Sequence, residues 1–350
     1  MAYQLSSLSV DARSSSINCL AFSAEGKFFF SGSEDGTLKP WGFQNDGFGQ
    51  ESKKFSVESV AISKDGKLVC STSENNIKLW NMQGTLISTL EGHTKSVRGV
   101  AFSPDGKLIC SGSWDNTVRL WRVLTGETIK IFYENTDRVT SVAFSPTGQL
   151  FCSGSSDGNV QVWNAETREA VYFLSSHMRY YERAITAMAF SPNGELLCTA
   201  SCDWTLTLWF LTKMFCGLTL KGHSFHVTCV AFSPDGELIC SGGKDMKVIL
   251  WDLTGRPLYK FRCGDCFVNC VAFSPTNGTI LVGSNDGVIR RWANPRAFYS
   301  PRTKYLFEHF LGGKMQTFNG EVLGEIWKKL PQDLHPMIAG YFRLEDVVKK

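Results

Sequence analysis

Three groupings of side chains in this sequence have the composition of a reactive centre. His93, Asp115 and either Ser111 or Ser113 bring together an imidazole, a carboxylate and a hydroxyl, the set that activates a serine nucleophile. His223, Ser241 and Asp245 supply the same three types again. Cys263-Gly264-Asp265-Cys266 is a CxxC pair, the spacing of a dithiol centre or of half a zinc site. A structural zinc needs four ligands, and no second pair follows, so no metal is expected. Twelve cysteines in 350 residues also raise the prospect of a disulfide framework.

What positions these residues is an internal repeat. Ala21-Phe22-Ser23, Ala61-Ile62-Ser63, Ala101-Phe102-Ser103, Ala143-Phe144-Ser145, Ala189-Phe190-Ser191, Ala231-Phe232-Ser233 and Ala272-Phe273-Ser274 each precede a tryptophan: Trp41, Trp80, Trp121, Trp163, Trp209, Trp251 and Trp292. The Phe-to-Trp step is 19 residues throughout, except for 18 from Ile62 to Trp80. The cysteines obey the same register. Cys70, Cys110, Cys152, Cys198 and Cys240 hold one repeat position, and Cys19, Cys229 and Cys270 another. Equivalent positions in stacked sheets lie about 10 Å apart, beyond the ~7 Å reach of a disulfide. These eight therefore read as small buried apolar side chains. The glycines also fall at turn positions in register, so none builds a phosphate loop.

Within one copy the pattern is all strand. In repeat three, Val97 to Phe102 alternates and stops at Ser103-Pro104-Asp105-Gly106, where Pro and Gly suit a tight turn. Leu108 to Ser113, Val118 to Trp121 and Thr128 to Phe132 follow as further strands. Four short strands cannot bury both faces alone, whereas radial stacking into a closed ring buries them.

At GH, AFSPDG, SGS, D and W the repeat resembles the WD-repeat family, over about residues 3 to 293. The resemblance implies an all-β, seven-bladed propeller occupying residues 1–294. In repeats three and six it implies hydrogen-bonded tetrads, His93, Ser111 or Ser113, Asp115, Trp121 and His223, Ser241, Asp245, Trp251. Residues with a packing role in each blade are not a catalytic triad, and no enzyme activity is expected. Repeats one, two, four and seven lack the loop histidine, and in repeat five extra residues separate His177 from Ile185. These blades should rely more on packing, with Asp286 in repeat seven worth less than Asp115 or Asp245. The family commonly completes its last blade with an N-terminal strand, which here implies Tyr3 to Val10.

The resemblance also points to a top face, made by the loops entering each first strand and by the residue before each turn aspartate. Trp114 stands there as an aromatic anchor. Arg98, Arg138 and Lys244 form a positive rim suited to acidic or phosphorylated segments, opposite Glu34, Glu58 and Glu74. His226, Phe267 and the inserted Tyr180 and Tyr181 complete the expected contact set. A net charge of +3 gives no reason to expect nucleic acid. No signal peptide or membrane span is apparent, so the chain reads as a soluble, cytoplasmic, monomeric scaffold for other proteins or peptides, without a cofactor.

From residue 295 to 350 the pattern changes to helical spacing. Leu323, Ile326, Trp327 and Leu330 form an apolar stripe expected to dock on the propeller or on a partner. Leu330-Pro331-Gln332-Asp333-Leu334 and the residues after it resemble the opening of an F-box or the end of a SOCS box. That implies the alternative function, a substrate receptor of a ubiquitin ligase with the tail as adaptor-binding element.

Overall fold

A computed structural model describes residues 8–11, 15–42, 55–175, 183–211 and 217–292. Each repeat forms an antiparallel sheet. In blade 3 the strands are Val97–Phe102, Leu108–Ser113, Val118–Arg122 and Thr128–Phe132, paired in sequence order. The turn between the first two is set chemically. Ser103 Oγ donates to Asp105 Oδ1 at 2.5 Å, Gly106 N–H donates to Ser103 C=O at 2.9 Å, and Gly106 takes φ +70°, a conformation glycine adopts without steric cost. The same device closes the first turn of blades 2 and 6.

Six sheets have four strands and blade 1 has three among the described residues. There Leu38–Trp41 carries Pro40, a residue that tolerates an outer strand because it has no N–H to give to a further neighbour. Blade 7 is composite. Leu8–Asp11 pairs antiparallel with Val288–Trp292, with Leu8 opposite Arg291 and Asp11 opposite Val288. The two ends of the repeat array thus meet in one sheet; of the expected strand Tyr3 to Val10, Leu8 to Val10 pair here, and Tyr3 to Ser7 lie outside the described residues.

The core lies between the blades, in seven apolar clusters. Each joins one blade to the next, and the seventh returns from Cys270, Leu281 and Ile289 of blade 7 to Ile17 of blade 1. The repeated residues divide these junctions between them. Trp121, Trp163, Trp209, Trp251 and Trp292 each join the cluster shared with the preceding blade, where Cys70, Cys110, Cys152, Cys198 and Cys240 await them in turn. All five cysteines are fully buried free thiols. A small side chain on the second strand leaves room for the next blade's indole, which explains why both types recur.

Candidate interaction face

The two histidine sets are closed upon themselves. His93 Nδ1 lies 2.8 Å from Asp115 Oδ2 and its Nε2 lies 2.8 Å from Ser111 Oγ, while Trp121 Nε1–H donates to the same Ser111 Oγ at 2.8 Å. With the ring proton on Nδ1, every donor meets one acceptor: indole to serine, serine to imidazole, imidazole to carboxylate. His223, Ser241, Asp245 and Trp251 repeat the chain at 2.9, 2.7 and 2.9 Å. Ser111, not Ser113, is the member. Ser113 Oγ donates instead to Lys95 C=O. Burial alone would raise the Asp115 carboxyl, but hydrogen bonds from His93, Thr117 and Thr94 hold it well below the usual carboxylate range. Ser111 is wholly buried and its oxygen is occupied, so no substrate can reach a nucleophile there.

The blades without a described loop histidine solve the same problem differently. In blade 4 Asn135 stands as far before Asp157 as His93 before Asp115, and its Oδ1 accepts from Ser153 Oγ at 2.9 Å. The substitution is incomplete. Among the described residues the buried Asn135 Nδ2 and Trp163 Nε1 have no acceptor. In blade 7 the loop position is Gly264, and the space is filled by a guanidinium from the third strand. Arg290 Nη1 donates to Ser284 Oγ at 2.6 Å and Nη2 to Asp286 Oδ2 at 2.5 Å. Burial would raise the Asp286 carboxyl, yet Arg290 and Ser284 hold it far down. Blade 7 therefore gives its turn aspartate a bonded partner where the sequence reading expected packing. Asp286 has a charged partner that the missing histidine concealed.

At the end of the ring where chains enter the first strands, most loop-entry residues are occupied by the adjacent blade. Asn18 Nδ2 donates to Ser56 Oγ at 2.9 Å and to Val57 C=O. Thr140 Oγ1 donates to Ile185 C=O at 2.5 Å, Thr186 to Val227 C=O at 2.6 Å and Thr228 to Val268 C=O at 2.6 Å. Asn269 Nδ2 donates to Ser16 Oγ at 2.8 Å and Ile17 C=O at 3.0 Å. These side chains tie blade to blade around the channel mouth, a role the sequence reading missed when it placed them on a contact face.

The two remaining junctions carry charges. Glu58 of blade 2 pairs with Arg98 of blade 3 at 2.8 Å. Arg98 lies 4.8 Å from the centre of the half-buried Trp114 ring, and Arg138 of blade 4 lies 5.2 Å from it. The structure thus brings Trp114, Arg98 and Arg138 together, with Arg138 exposed. The Trp114 backbone is anchored by its amide N–H, which donates to Ser96 C=O.

Lys244 and His226 meet elsewhere, and Phe267 stands apart from them beside Asn285. Lys244 N–H donates to His226 C=O, and the His226 ring stacks on Phe225 at 4.3 Å. Trp204 also contacts Phe225, with ring centres 6.1 Å apart and the planes tilted by 42°. It holds φ +75°, where glycine stands in blades 1, 4 and 7 and where a bulky side chain is rare. Phe267 is partly exposed beside Asn285, which accepts its backbone N–H at 2.7 Å. Sequence reasoning passed over Trp204 and Phe225, because neither occupies a position the repeat singles out. Tyr180, Tyr181, His177, Leu323, Ile326, Trp327 and Leu330 lie outside the described residues. Cys263 and Cys266 lie with sulfurs 3.8 Å apart and are buried. Burial pushes the Cys263 thiol up to about 12, away from the thiolate that attacks substrates or binds metal.

Comparison with known proteins places this geometry. The family described as WD domain, G-beta repeat matches residues 4–39, 49–81, 84–122, 126–164, 168–209, 214–252 and 255–293. Eukaryotic translation initiation factor 3 subunit I of Aspergillus niger is 32% identical over 79 residues, 22% of this chain and 23% of that protein. The subunit I of Aspergillus fumigatus is 37% identical over an equal length, again 22% and 23%. Guanine nucleotide-binding protein subunit beta-5b of Danio rerio is 29% identical over 102 residues, 27% of this chain and 26% of that protein. The chain therefore spans about a quarter of the length of these relatives. The seven matched segments track the seven sheets, and the chain belongs to the WD-domain, G-beta repeat family.

Proposed function

We propose that the protein is a non-catalytic platform that holds other proteins or peptides, and that Trp114 marks the centre of its contact face. The observation that carries this reading is the indole with both Arg98 and Arg138 near its ring, at the only two junctions, among those described, that are bridged by charged side chains. A rigid aromatic flanked by guanidinium groups has the composition of an interface hot spot. The histidine sets, by contrast, have no group left to offer a substrate. The relatives are named as subunits, which agrees with a part played inside assemblies. The second aromatic group, Trp204, Phe225 and His226 with Lys244, extends the face across blades 5 and 6, and Phe267 stands at the corresponding loop of blade 7.

The test is recovery of partners by the tagged full-length chain, wild type against Trp114→Ala, quantified by mass spectrometry. The variant should lose most specific partners while melting close to wild type. An unchanged partner set would overturn the assignment of this face.

A further inference from the structure

The contact face proposed above carries two guanidinium groups that differ in what they pair with. Arg98 is ion-paired with Glu58 at 2.8 Å, and its side chain is about as buried as its partner, 29% against 21% exposed. Arg138 differs. It is exposed, its backbone N–H donates to Asp137 Oδ1 at 2.7 Å, and its guanidinium rests on the Trp114 ring without an ion pair among the described residues. An indole attracts a guanidinium to its flat face, and no ion pair among the described residues occupies the N–H fork of Arg138. That fork matches the two oxygens of a carboxylate, and a guanidinium already oriented loses less entropy when it binds.

The charge of the ligand follows from what surrounds the indole. Arg98 is paired with Glu58, and Asp137 is next in the chain to Arg138, so anions stand close to both guanidinium groups. A dianionic phosphate needs two or more unpaired cations to offset its desolvation and would meet Glu58 and Asp137 as like charges. A carboxylate asks for one guanidinium. Thr140, which follows Arg138 by two residues, is spent on Ile185 C=O, so no hydroxyl from it assists a phosphate. Lys95, next to the Ser96 whose C=O accepts the Trp114 backbone N–H, and Lys244 on another loop are exposed and add attraction for an acidic segment.

Resting on the platform reading, we propose that Arg138, held on Trp114 at the junction of blades 3 and 4, pairs with the carboxylate of an aspartate or glutamate in a partner's acidic segment. An apolar neighbour of that residue packs on the exposed edge of Trp114.

The experiment passes degenerate peptide libraries over immobilised full-length protein, with the central residue fixed as Glu, Gln or phosphoserine. The Glu library should be retained about tenfold more than the Gln library, the ratio expected from one charge-assisted pair. Arg138→Gln should abolish that preference, Arg138→Lys should restore part of it, and Trp114→Ala should weaken retention of Glu and Gln libraries alike. Equal retention of Glu and Gln by the wild type overturns the proposal, and so does a phosphoserine library retained above Glu. Partner recovery from extracts separates this from the broader reading. If Trp114→Ala loses partners and Arg138→Gln keeps them all, the platform stands and the carboxylate site falls. Both variants are checked by melting temperature, and an exposed guanidinium can be lost without unfolding the ring.

Discussion

Single side chains decide how each blade is locked, and three of them make the clearest tests. Asp115 and Asp286 each hold buried or partly buried partners, so Ala at either position should cost about 1–3 kcal/mol, read as similar drops in melting temperature. Sequence alone ranks Asp286 lower, because the partner it uses, Arg290, lies in the third strand where no repeat rule requires a cation. Asn135 was legible by counting back from Asp157, but its shortfall was not, since only coordinates reveal that Nδ2 and Trp163 Nε1 lack acceptors. Asn135→His should therefore stabilise by about 1 kcal/mol by rebuilding the chain to Asp157. No gain in thermal or urea unfolding would show that the fourth blade cannot admit the ring. The carboxylates also set an acid limit. Asp115, Asp245 and Asp286 are all depressed in the folded chain, in each case by hydrogen bonds that outweigh burial. Their stabilisation is complete above the unfolded carboxylate pKa of ~4 and is lost as pH falls through and below it toward the folded values. Urea midpoints should hold from pH 7 to about 5 and then fall, and an Asp115→Asn, Asp245→Asn double variant should fall less steeply over the acid range. A parallel fall would show that other groups carry the acid sensitivity.

Among elements, the strands were readable because every blade repeats one alternation and one turn chemistry, so seven weak signals add. Ring closure was readable only through family resemblance, since four residues of N-terminal strand carry little pattern of their own. Their weight is topological. Leu8–Asp11 supplies the fourth strand of blade 7 and covers the edge of Val288–Trp292, an edge that would otherwise be a template for other chains. Deleting residues 1–11 should lower the melting temperature by several degrees and promote concentration-dependent association, measured by light scattering. A truncated chain as stable and as monodisperse as the parent would show that this pairing does not hold the ring shut. The links between blades were illegible for a different reason. Thr140, Thr186 and Thr228 fall where the resemblance expects a contact face, and nothing in a threonine's identity says that its hydroxyl points sideways to the adjacent backbone.

At the scale of the whole ring those links change how the molecule can vary. In an open row of sheets, one lost junction separates everything beyond it. Here two adjoining blades remain joined the long way round through the other five, so a failed junction weakens the circle without cutting it. Replacing Thr228 by Val should cost only about 1 kcal/mol and leave a single unfolding transition, whereas a blade melting apart on its own would show that the circuit is not shared. Such redundancy lets a junction carry side chains with another use, as those at Arg98 and Trp114 do in the proposed reading, while the rest of the circumference keeps its shape. A surface of this kind can acquire a new partner one blade at a time, with each intermediate sequence still folded.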